Sequence, residues 1–259
     1  MAQPLTDGLP VGLRRLWGLE DRPVRGASPA LSLERIVAAA IELADAEGLP
    51  ALSMARLAER LGSAPMSLYR YVESKDELMI FMIDSASTAE PPTTVDGIGW
   101  REALRTWAND LMGIYRRHRW ILQLPANRPP LEPGQLSWLE AGLRAQEETR
   151  LEPGEKLLIA MTLLGYVRGQ AALLLDQTAA GDGPAYGELL AKLVEPERFP
   201  ALSEVIAAGV FEPPPVPADP GLDSEAGFDP DSEPTFGFGL ERVLDGVQAL
   251  IDERSEAIR

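Results

Sequence analysis

Residues 52–78 read LSMARLAERLGSAPMSLYRYVESKDEL, and this stretch decides how the N-terminal part of the chain folds. Its apolar residues first recur at three- and four-residue spacing, which predicts a helix that begins near Ser53 and stops at Gly62. A second, shorter helix is predicted over about residues 65–71, with proline in its first turn, where a missing N–H costs nothing. Two short helices joined by a glycine-containing turn are typical of a helix-turn-helix.

The second of these helices is too short to be stable alone, so neighbouring helices must hold it by packing. Leu68 and Val72 lie four residues apart and can pack inward together. The side chains then available to meet phosphates and base edges in a DNA major groove are Met66, Ser67, Tyr69, Arg70 and Tyr71. The alternative is that the tyrosines pack inward and that Arg70 is a solvated surface charge.

Further helix signals flank this stretch. Ser32 is suited to cap one helix, and Ser74–Glu77 forms a capping box that opens another, from Lys75 to about Ser87. The first N–H groups of that helix, together with Lys75, lie where a phosphate can bind. Residues 1–30 lack periodicity and are predicted to be a flexible arm. Its arginines either reach a minor groove or belong to a disordered tail, and they are Arg14, Arg15, Arg22 and Arg25.

The charge of the chain is unevenly distributed. The 259 residues carry a formal net charge of -16, yet residues 1–86 contain nine basic and twelve acidic residues, so most of the acidity belongs to the C-terminal part. A near-neutral N-terminal part can still present a positive face. The net charge therefore does not exclude DNA as a partner.

The chain contains no cysteine, which excludes disulfides, thiolate metal sites and thiol nucleophiles and fits a reducing cytoplasm. The N-terminus lacks the layout of a signal peptide, and we expect no stretch to reach the roughly 20 apolar residues that a membrane helix needs. We therefore expect a soluble cytoplasmic protein without a membrane partner.

The C-terminal part shows helical patterns and no convincing strand, so the predicted fold is all-α. The patterns lie at about 99–123, 133–149, 153–176, 186–195 and 201–210, and a last amphipathic helix covers 238–259. Residues 212–234 are rich in proline and acidic residues and lack Lys and Arg, which predicts a disordered loop.

The opening stretch resembles the DNA-binding signature of the tetracycline-repressor (TetR) family of transcription regulators. A leucine-alanine pair, a glycine turn, Leu-Tyr, an aromatic residue, valine and a lysine-containing helix start recur there in this order, and the resemblance covers about residues 32–86. It implies an N-terminal three-helix helix-turn-helix DNA-binding domain at 31–87 and a C-terminal helical effector-binding and dimerisation domain at 95–259. It also implies a repressor that binds double-stranded operator DNA and is released by a small-molecule effector.

Carried over position by position, the resemblance assigns phosphate contacts to Ser53 and Lys75, and contacts with the DNA backbone or thymine methyl groups to Tyr69 and Tyr71. The positions that approach bases are Pro65, Met66, Ser67 and Arg70.

The stretch EPTFGFGLERVLDGVQALI, residues 233–251, is similar to the last helix of the family's tetracycline-binding members, which pairs with its symmetry mate. We therefore expect a homodimer on a palindromic operator, since helix-turn-helix regulators read two half-sites about one DNA turn apart. The expected interface is the apolar stripe of Leu240, Val243, Leu244, Val247, Leu250 and Ile251. The alternative is that this stripe packs inside one subunit.

An effector pocket in such a fold is mostly apolar with a few polar anchors, which favours a small apolar or aromatic effector. The candidate residues are Trp107, Leu111, Tyr115, Trp120, Leu124, Asn127, Arg128, Trp138, Met161, Leu164, Tyr166, Arg168, Gln170 and Leu174. Each of them can instead belong to the core, and Trp107, Leu111 and Tyr115 recur at plain helical spacing.

No metal or other cofactor is expected. Tetracycline-binding members of the family hold a magnesium–drug chelate through histidines, but the matching positions here carry Leu124, Tyr166 and, for the acidic ligand, Leu174. The only histidine, His118, is flanked by arginines that repel a cation.

Two other classes of function compete with a regulator. For an enzyme, a single histidine, no cysteine, no phosphate-binding glycine loop and no Gly-x-Ser-x-Gly elbow leave only carboxylates for acid–base chemistry. A helical protein-binding module that has lost DNA binding is favoured by the acidic balance and the scarcity of lysine. We expect a regulator and no enzymatic activity.

Overall fold

The computed structural model of the chain describes residues 8–20, 31–89, 92–93, 97–124, 130–177, 186–211 and 234–256. These residues form helices and no strand, as the all-α prediction requires. The α-helices are α1 (Val11–Leu16), α2 (Leu33–Glu47), α3 (Met54–Arg60), α4 (Pro65–Leu68), α5 (Lys75–Ala89), α6 (Trp100–Arg117), α7 (Pro133–Arg144), α8 (Pro153–Gln177), α9 (Tyr186–Leu193), α10 (Pro200–Ala207) and α11 (Pro234–Glu256). Two short 3-10 helices lie at Leu49–Ala51 and Arg119–Gln123.

The predicted cap residues open the N-terminal helices. The hydroxyl of Ser32 accepts a hydrogen bond from the Arg35 N–H at 3.2 Å, and Ser53 does the same for α3. Ser74 opens α5 by accepting from the Glu77 N–H at 3.1 Å. Gly62 adopts φ +61° after α3, a left-handed conformation that favours glycine, and so provides the turn between α3 and α4.

The prediction of a flexible arm over residues 1–30 is wrong for residues 11–16, which form α1 against α5. Leu13 is 1% exposed, and this burial fixes a helix too short to be stable alone. Residues 1–7 and 21–30, with Arg22 and Arg25, lie outside the described residues.

The predicted helix over 99–123 is divided in two. His118 adopts φ -115° and ψ 62°, which ends α6, and the 3-10 helix Arg119–Gln123 follows. The predicted helix over 133–149 ends at Arg144 and continues as turns. Of the predicted disordered loop, residues 212–233 lie outside the described residues, and Pro234 begins α11.

The chain divides into two compact units. The first holds residues 1–175 and 235–259, so it contains α1–α7, nearly all of α8 and nearly all of α11. Within it a single hydrophobic core joins the N-terminal helices to the C-terminal ones, with fully buried Leu57, Leu68, Leu104, Leu163 and Leu244 among its members. The second unit, residues 176–234, contains α9 and α10, which pack against each other.

The expectation that no stretch has the length and hydropathy of a membrane span is wrong for α8. Residues Pro153–Leu174, 22 in all, contain an 18-residue window of mean hydropathy 1.6, of which 28% is buried. Length and composition alone would let this helix cross a membrane, although the buried helices of soluble proteins meet the same criterion. Much of its apolar surface is therefore open within the single chain.

Candidate nucleic-acid interface and effector site

Helix α4 presents two opposite faces. Leu68 and the following Val72 are both 0% exposed and anchor the helix in the core. On the other face Met66 is 76% exposed and Tyr69 is 40% exposed, and Pro65 and Arg70 are exposed beside them, while Ser67 is half-buried. A large apolar side chain and a tyrosine held open to solvent, next to an arginine, are suited to groove and phosphate contacts.

The expectation that Tyr71 faces outward is wrong. Tyr71 is 4% exposed, and its hydroxyl donates a hydrogen bond to the carbonyl of Leu31 at 2.8 Å. It lies three residues after Leu68 and one before Val72, so helical geometry turns all three toward the same interior. Tyr71 joins the start of α2 to the end of the helix-turn-helix and does not contribute to the exposed face.

The two predicted phosphate contacts both have a structural role. The Lys75 ammonium donates to the Leu52 carbonyl at 2.8 Å, which ties the start of α5 to the segment before α3. The Ser53 hydroxyl caps α3 by accepting from the Arg56 N–H at 3.3 Å. Both residues remain exposed, so each can still approach DNA.

A polar contact that the sequence analysis did not find connects α2 to the 3-10 helix Arg119–Gln123. The Trp120 indole N–H donates to an Asp45 carboxylate oxygen at 2.9 Å, and His118 Nδ1 lies 2.9 Å from the same oxygen. His118 is 7% exposed, so its surroundings are set by this carboxylate and by packing. Asp45 falls on the polar side of a helical pattern, and no local signal distinguishes it from a solvated acid.

Two of the aromatic candidates for the effector site, Trp107 and Trp138, form hydrogen bonds that connect α6, α7 and α5. The Trp107 indole N–H donates to the Trp138 carbonyl at 2.9 Å, and the Trp138 indole N–H donates to the Ser87 carbonyl at 2.9 Å. Trp107, Leu111, Tyr115, Trp120 and Trp138 are all less than 9% exposed.

Arg168 on α8 holds the backbone of the 3-10 helix. Its guanidinium donates to the carbonyls of Leu122 and Leu124 at 3.1 and 2.7 Å, so this candidate effector residue caps the end of that helix. It also reaches Tyr115, where burial raises the pKa of the phenol and the hydrogen bond to Arg168 lowers it to a smaller extent.

The remaining candidates on α8 differ in their surroundings. The Tyr166 hydroxyl donates to the Phe236 carbonyl at 2.6 Å, and the two rings stack with centroids 5.6 Å apart. Met161 is 42% exposed, which is unlike a pocket lining residue. Leu164, Gln170 and Leu174 are half-buried, as is Leu124, while Asn127 and Arg128 lie outside the described residues.

The described residues line a groove of about 450 Å³ that the sequence analysis did not predict. It runs between the start of α6 and the end of α7, and of the candidate effector residues that the structure describes only Trp107 contributes to it. Trp100 adds a second indole, and Glu140, Arg144 and Glu148 provide charged groups. Among all the residues that the structure describes, no group of three or more His, Asp or Glu side chains is arranged to hold a metal ion.

The predicted dimer stripe on α11 is mostly turned into its own subunit. Leu240, Leu244 and Val247 are at most 5% exposed, and Val243, Leu250 and Ile251 are partly buried against the same core. The alternative in which the stripe packs inside one subunit therefore describes the structure for the first three, which leave no surface for a second copy. Exposed apolar side chains lie instead on α8, where Leu158 is 68% exposed, and on α11 at Phe238, which is 67% exposed.

Comparison with known proteins adds family matches over both parts of the chain. Residues 36–80 match the family described as bacterial regulatory proteins, tetR family, and residues 92–213 match the tetracyclin repressor-like C-terminal domain. The chain is 39% identical over 247 residues to the HTH-type transcriptional repressor DrrR1 of Streptomyces coeruleorubidus, a match that spans 93% of this chain and 86% of that protein. It is 30% identical over 217 residues to an HTH-type transcriptional regulator of Saccharopolyspora erythraea, with 83% of this chain and 86% of that protein covered.

Among solved structures, apo ActR from Streptomyces coelicolor superposes with a TM-score of 0.68 at 26% identity, over 88% of this chain and 100% of that chain. ActR in complex with (S)-DNPA superposes with a TM-score of 0.66 at 25% identity, over 86% of this chain and 99% of that chain.

Proposed function

Because the chain belongs to the tetR family of bacterial regulatory proteins, we propose that it is a homodimeric repressor that reads a palindromic operator and leaves it when a small apolar or aromatic molecule binds. Its relatives support ligand-responsive, DNA-binding repression. The homodimer, the palindromic operator and the chemical class of the effector are what we propose in addition. In keeping with such a regulator, we assign the protein to the cytoplasm and give it no catalytic step.

The observation that carries the proposal is the two-faced helix α4. Leu68 and Val72 hold the helix in the core, while Met66 and Tyr69 on its other side are exposed to solvent. This exposed side is suited to DNA, because Tyr69 can bind backbone or thymine methyl groups and Arg70 can read guanine.

The test is selection of a random duplex library on the purified protein, followed by sequencing. We expect a palindromic motif for the native chain, a weaker or altered motif for Tyr69→Ala and Arg70→Ala, and an unchanged motif for Arg242→Ala. The last variant is the control, since it removes the same charge from α11 as Arg70→Ala removes beside α4. If the native chain enriches no motif at low salt, the proposed function is wrong.

We assign the dimer contact to the exposed apolar side chains of α8. Leu157, Leu158 and Met161 are 41%, 68% and 42% exposed and lie within two turns of the helix. Exposed apolar surface of this kind marks a contact with protein or lipid. Lys156 on the same helix and Arg168, whose guanidinium caps the 3-10 helix, favour a second copy of this chain over the interior of a bilayer.

Leu158→Asp tests this assignment. A symmetric contact contains the leucine twice, and each fully buried leucine contributes about 1.5–3 kcal/mol, so we expect the dimer to weaken by roughly a hundredfold or more. Ile98→Asp is the control, because Ile98 is 47% exposed in the segment before α6. Sedimentation velocity should show a monomer for Leu158→Asp and a dimer for both the native chain and Ile98→Asp. An unchanged dimer, or flotation of the native chain with liposomes that Leu158→Asp abolishes, would refute the assignment.

The effector acts through a shift in population. A ligand that binds a conformation unsuited to the operator more tightly than the competent one lowers operator affinity without touching DNA. The groove beside the start of α6 is lined by the indoles of Trp100 and Trp107, which favours an apolar or aromatic molecule, and ActR, at 25% identity, has been solved with (S)-DNPA bound. Release of the selected operator by neutral aromatic compounds, measured by fluorescence anisotropy, is expected. Release only by charged, hydrophilic compounds would contradict the proposed effector class.

A further inference from the structure

Helix α1 lies outside the matched family regions, which begin at residue 36, yet it is built into the core. Leu13 is 1% exposed, and Gly12 lies so close to α5 that a Cβ atom there would be 3.1 Å from Glu77 Cγ and 3.5 Å from Ile80. A Cβ atom at position 12 would crowd the Glu77 side chain, which would have to shift by a few tenths of an ångström. The glycine therefore allows a close approach between the two helices.

Arg15 uses this close approach to reach the turn after α4. Its Nη1 donates to the Tyr71 carbonyl at 2.8 Å and to a Glu77 carboxylate oxygen at 3.0 Å, and its guanidinium lies 4.9 Å from the centroid of the Phe81 ring. The side chains of Arg15 and Glu77 are 10% and 6% exposed. The pair is thus shielded from water, and charge-assisted hydrogen bonds are strong in such a shielded position.

Glu77 completes the connection within the turn. Its second carboxylate oxygen accepts the Glu73 N–H at 2.6 Å, while its own N–H donates to the Ser74 hydroxyl at 3.1 Å. Arg15 therefore binds both the last carbonyl of the helix-turn-helix segment, on Tyr71, and the carboxylate that caps the next helix. Two independent groups on the same turn are held by one side chain from α1.

The same end of α1 makes a second contact through Trp17, the residue that follows the helix. The Trp17 indole N–H donates to the Leu131 carbonyl at 2.9 Å, in the segment just before α7. Arg14, next to Arg15 in sequence, pairs instead with Glu20 at 2.7 Å. The C-terminal end of α1 thus contacts both the turn after α4 and the segment before α7, and only one of its two arginines faces the turn after α4.

We propose that Arg15 is a positioning residue for DNA recognition: it fixes the turn between α4 and α5 and so sets the orientation in which α4 presents Met66, Tyr69 and Arg70. This inference rests on the proposed function. It differs from the expectation that the arginines near the N-terminus contact DNA, because the Arg15 guanidinium is engaged by Tyr71 and Glu77.

The experiment compares Arg15→Met with its neighbour Arg14→Met, which removes the same charge from the same helix. Operator affinity is measured by fluorescence anisotropy over a series of KCl concentrations, on the duplex selected by the native chain. For Arg15→Met we expect affinity to fall roughly tenfold at every salt concentration, the size of coupling within one hydrogen-bonded network. The salt slope should stay parallel to that of the native chain, because no phosphate contact is lost. Arg14→Met should match the native chain.

Because Arg15→Met leaves the buried Glu77 carboxylate unpaired, that variant can lose its fold for an unrelated reason. Arg15→Met combined with Glu77→Gln removes both charges and keeps the packing. It is expected to retain native helicity and thermal stability near that of the native chain, and still to bind the operator more weakly. Amide hydrogen exchange at residues 71–77 should be faster in the folded Arg15 variants than in Arg14→Met.

Native affinity in the double variant would overturn the proposal. So would a salt slope reduced by about 0.9, which corresponds to one lost phosphate contact and would make Arg15 a DNA ligand. If the native chain selects no operator, the proposed function fails, and the exchange measurement alone then decides whether Arg15 fixes the turn.

Discussion

Replacing Tyr71 with Phe separates a core role for this residue from a role in DNA contact. The change removes only the hydroxyl, which donates to the Leu31 carbonyl at 2.8 Å inside the protein, and Leu31 itself is 8% exposed. A buried carbonyl left without its donor costs about 1–3 kcal/mol. For a chain of this size we expect a loss of about 2 kcal/mol to lower the melting temperature by roughly 4–8 °C.

The matched control is Tyr69→Phe, since Tyr69 is 40% exposed on the face of α4 assigned to DNA. We expect Tyr69→Phe to leave the melting temperature unchanged and to weaken operator binding, and Tyr71→Phe to show the reverse pattern. Differential scanning fluorimetry and anisotropy on the same preparations measure both quantities. A stable Tyr71→Phe variant with weakened operator binding would refute the core role and return Tyr71 to the DNA interface.

Two further predictions concern α11. A Cβ atom at Gly239 would overlap the Tyr166 ring, so Gly239→Ala should destabilise the protein by about 1–3 kcal/mol, whereas Gly246→Ala on the same helix meets nothing within 4 Å and should be neutral or stabilising in thermal unfolding. Glu241 accepts hydrogen bonds from Arg105 and a second arginine, which lower the pKa of its carboxyl in the folded protein. The stability that this carboxylate contributes is therefore fully present above the pKa of an unfolded glutamate, about 4.3, and is lost as pH falls through the lower folded pKa. Glu241→Gln should therefore cost about 0.5–1 kcal/mol at neutral pH and nothing at the acidic end of a pH series of melting temperatures, and an equal cost at every pH would contradict this reasoning.

Sequence alone predicts the helix starts that local chemistry sets. Ser32, Ser53 and Ser74 act on N–H groups three residues ahead, so their caps can be seen in the printed sequence and are present in the structure. Helix α1 has no side-chain cap, and it is held by Arg15 contacts with residues 56 and 62 positions later. Contacts at that separation leave no trace in a local pattern, which is why the segment looked like an arm.

The direction in which an apolar helix face points also depends on distant contacts that the sequence does not show. Inward packing of Leu68 and Val72 left Tyr71 among the side chains expected to face outward, and the family resemblance also assigned it to DNA, whereas the structure buries all three residues together. For α11 the stripe was visible, but whether a stripe meets its own chain or a second copy depends on which helices lie beside it. Only the fold shows that Leu244 is covered and that Leu158 on α8 is open.

Directional hydrogen bonds join α2, in the N-terminal DNA-binding part, to the 3-10 helix Arg119–Gln123 and to α8. These bonds indicate how a small molecule can alter DNA binding at a distance. Asp45 on α2 accepts the Trp120 N–H from the 3-10 helix, and Arg168 on α8 holds the carbonyls at the end of that same helix. Hydrogen bonds weaken steeply once distance or angle departs from the ordinary range, whereas apolar contacts tolerate small slides. A ligand that displaces α8 must therefore either carry the 3-10 helix with it, and α2 through Asp45, or break one of these contacts. Packed elements change between discrete arrangements, so we expect two states of this connection, and the effector need only bind one of them more tightly than the other.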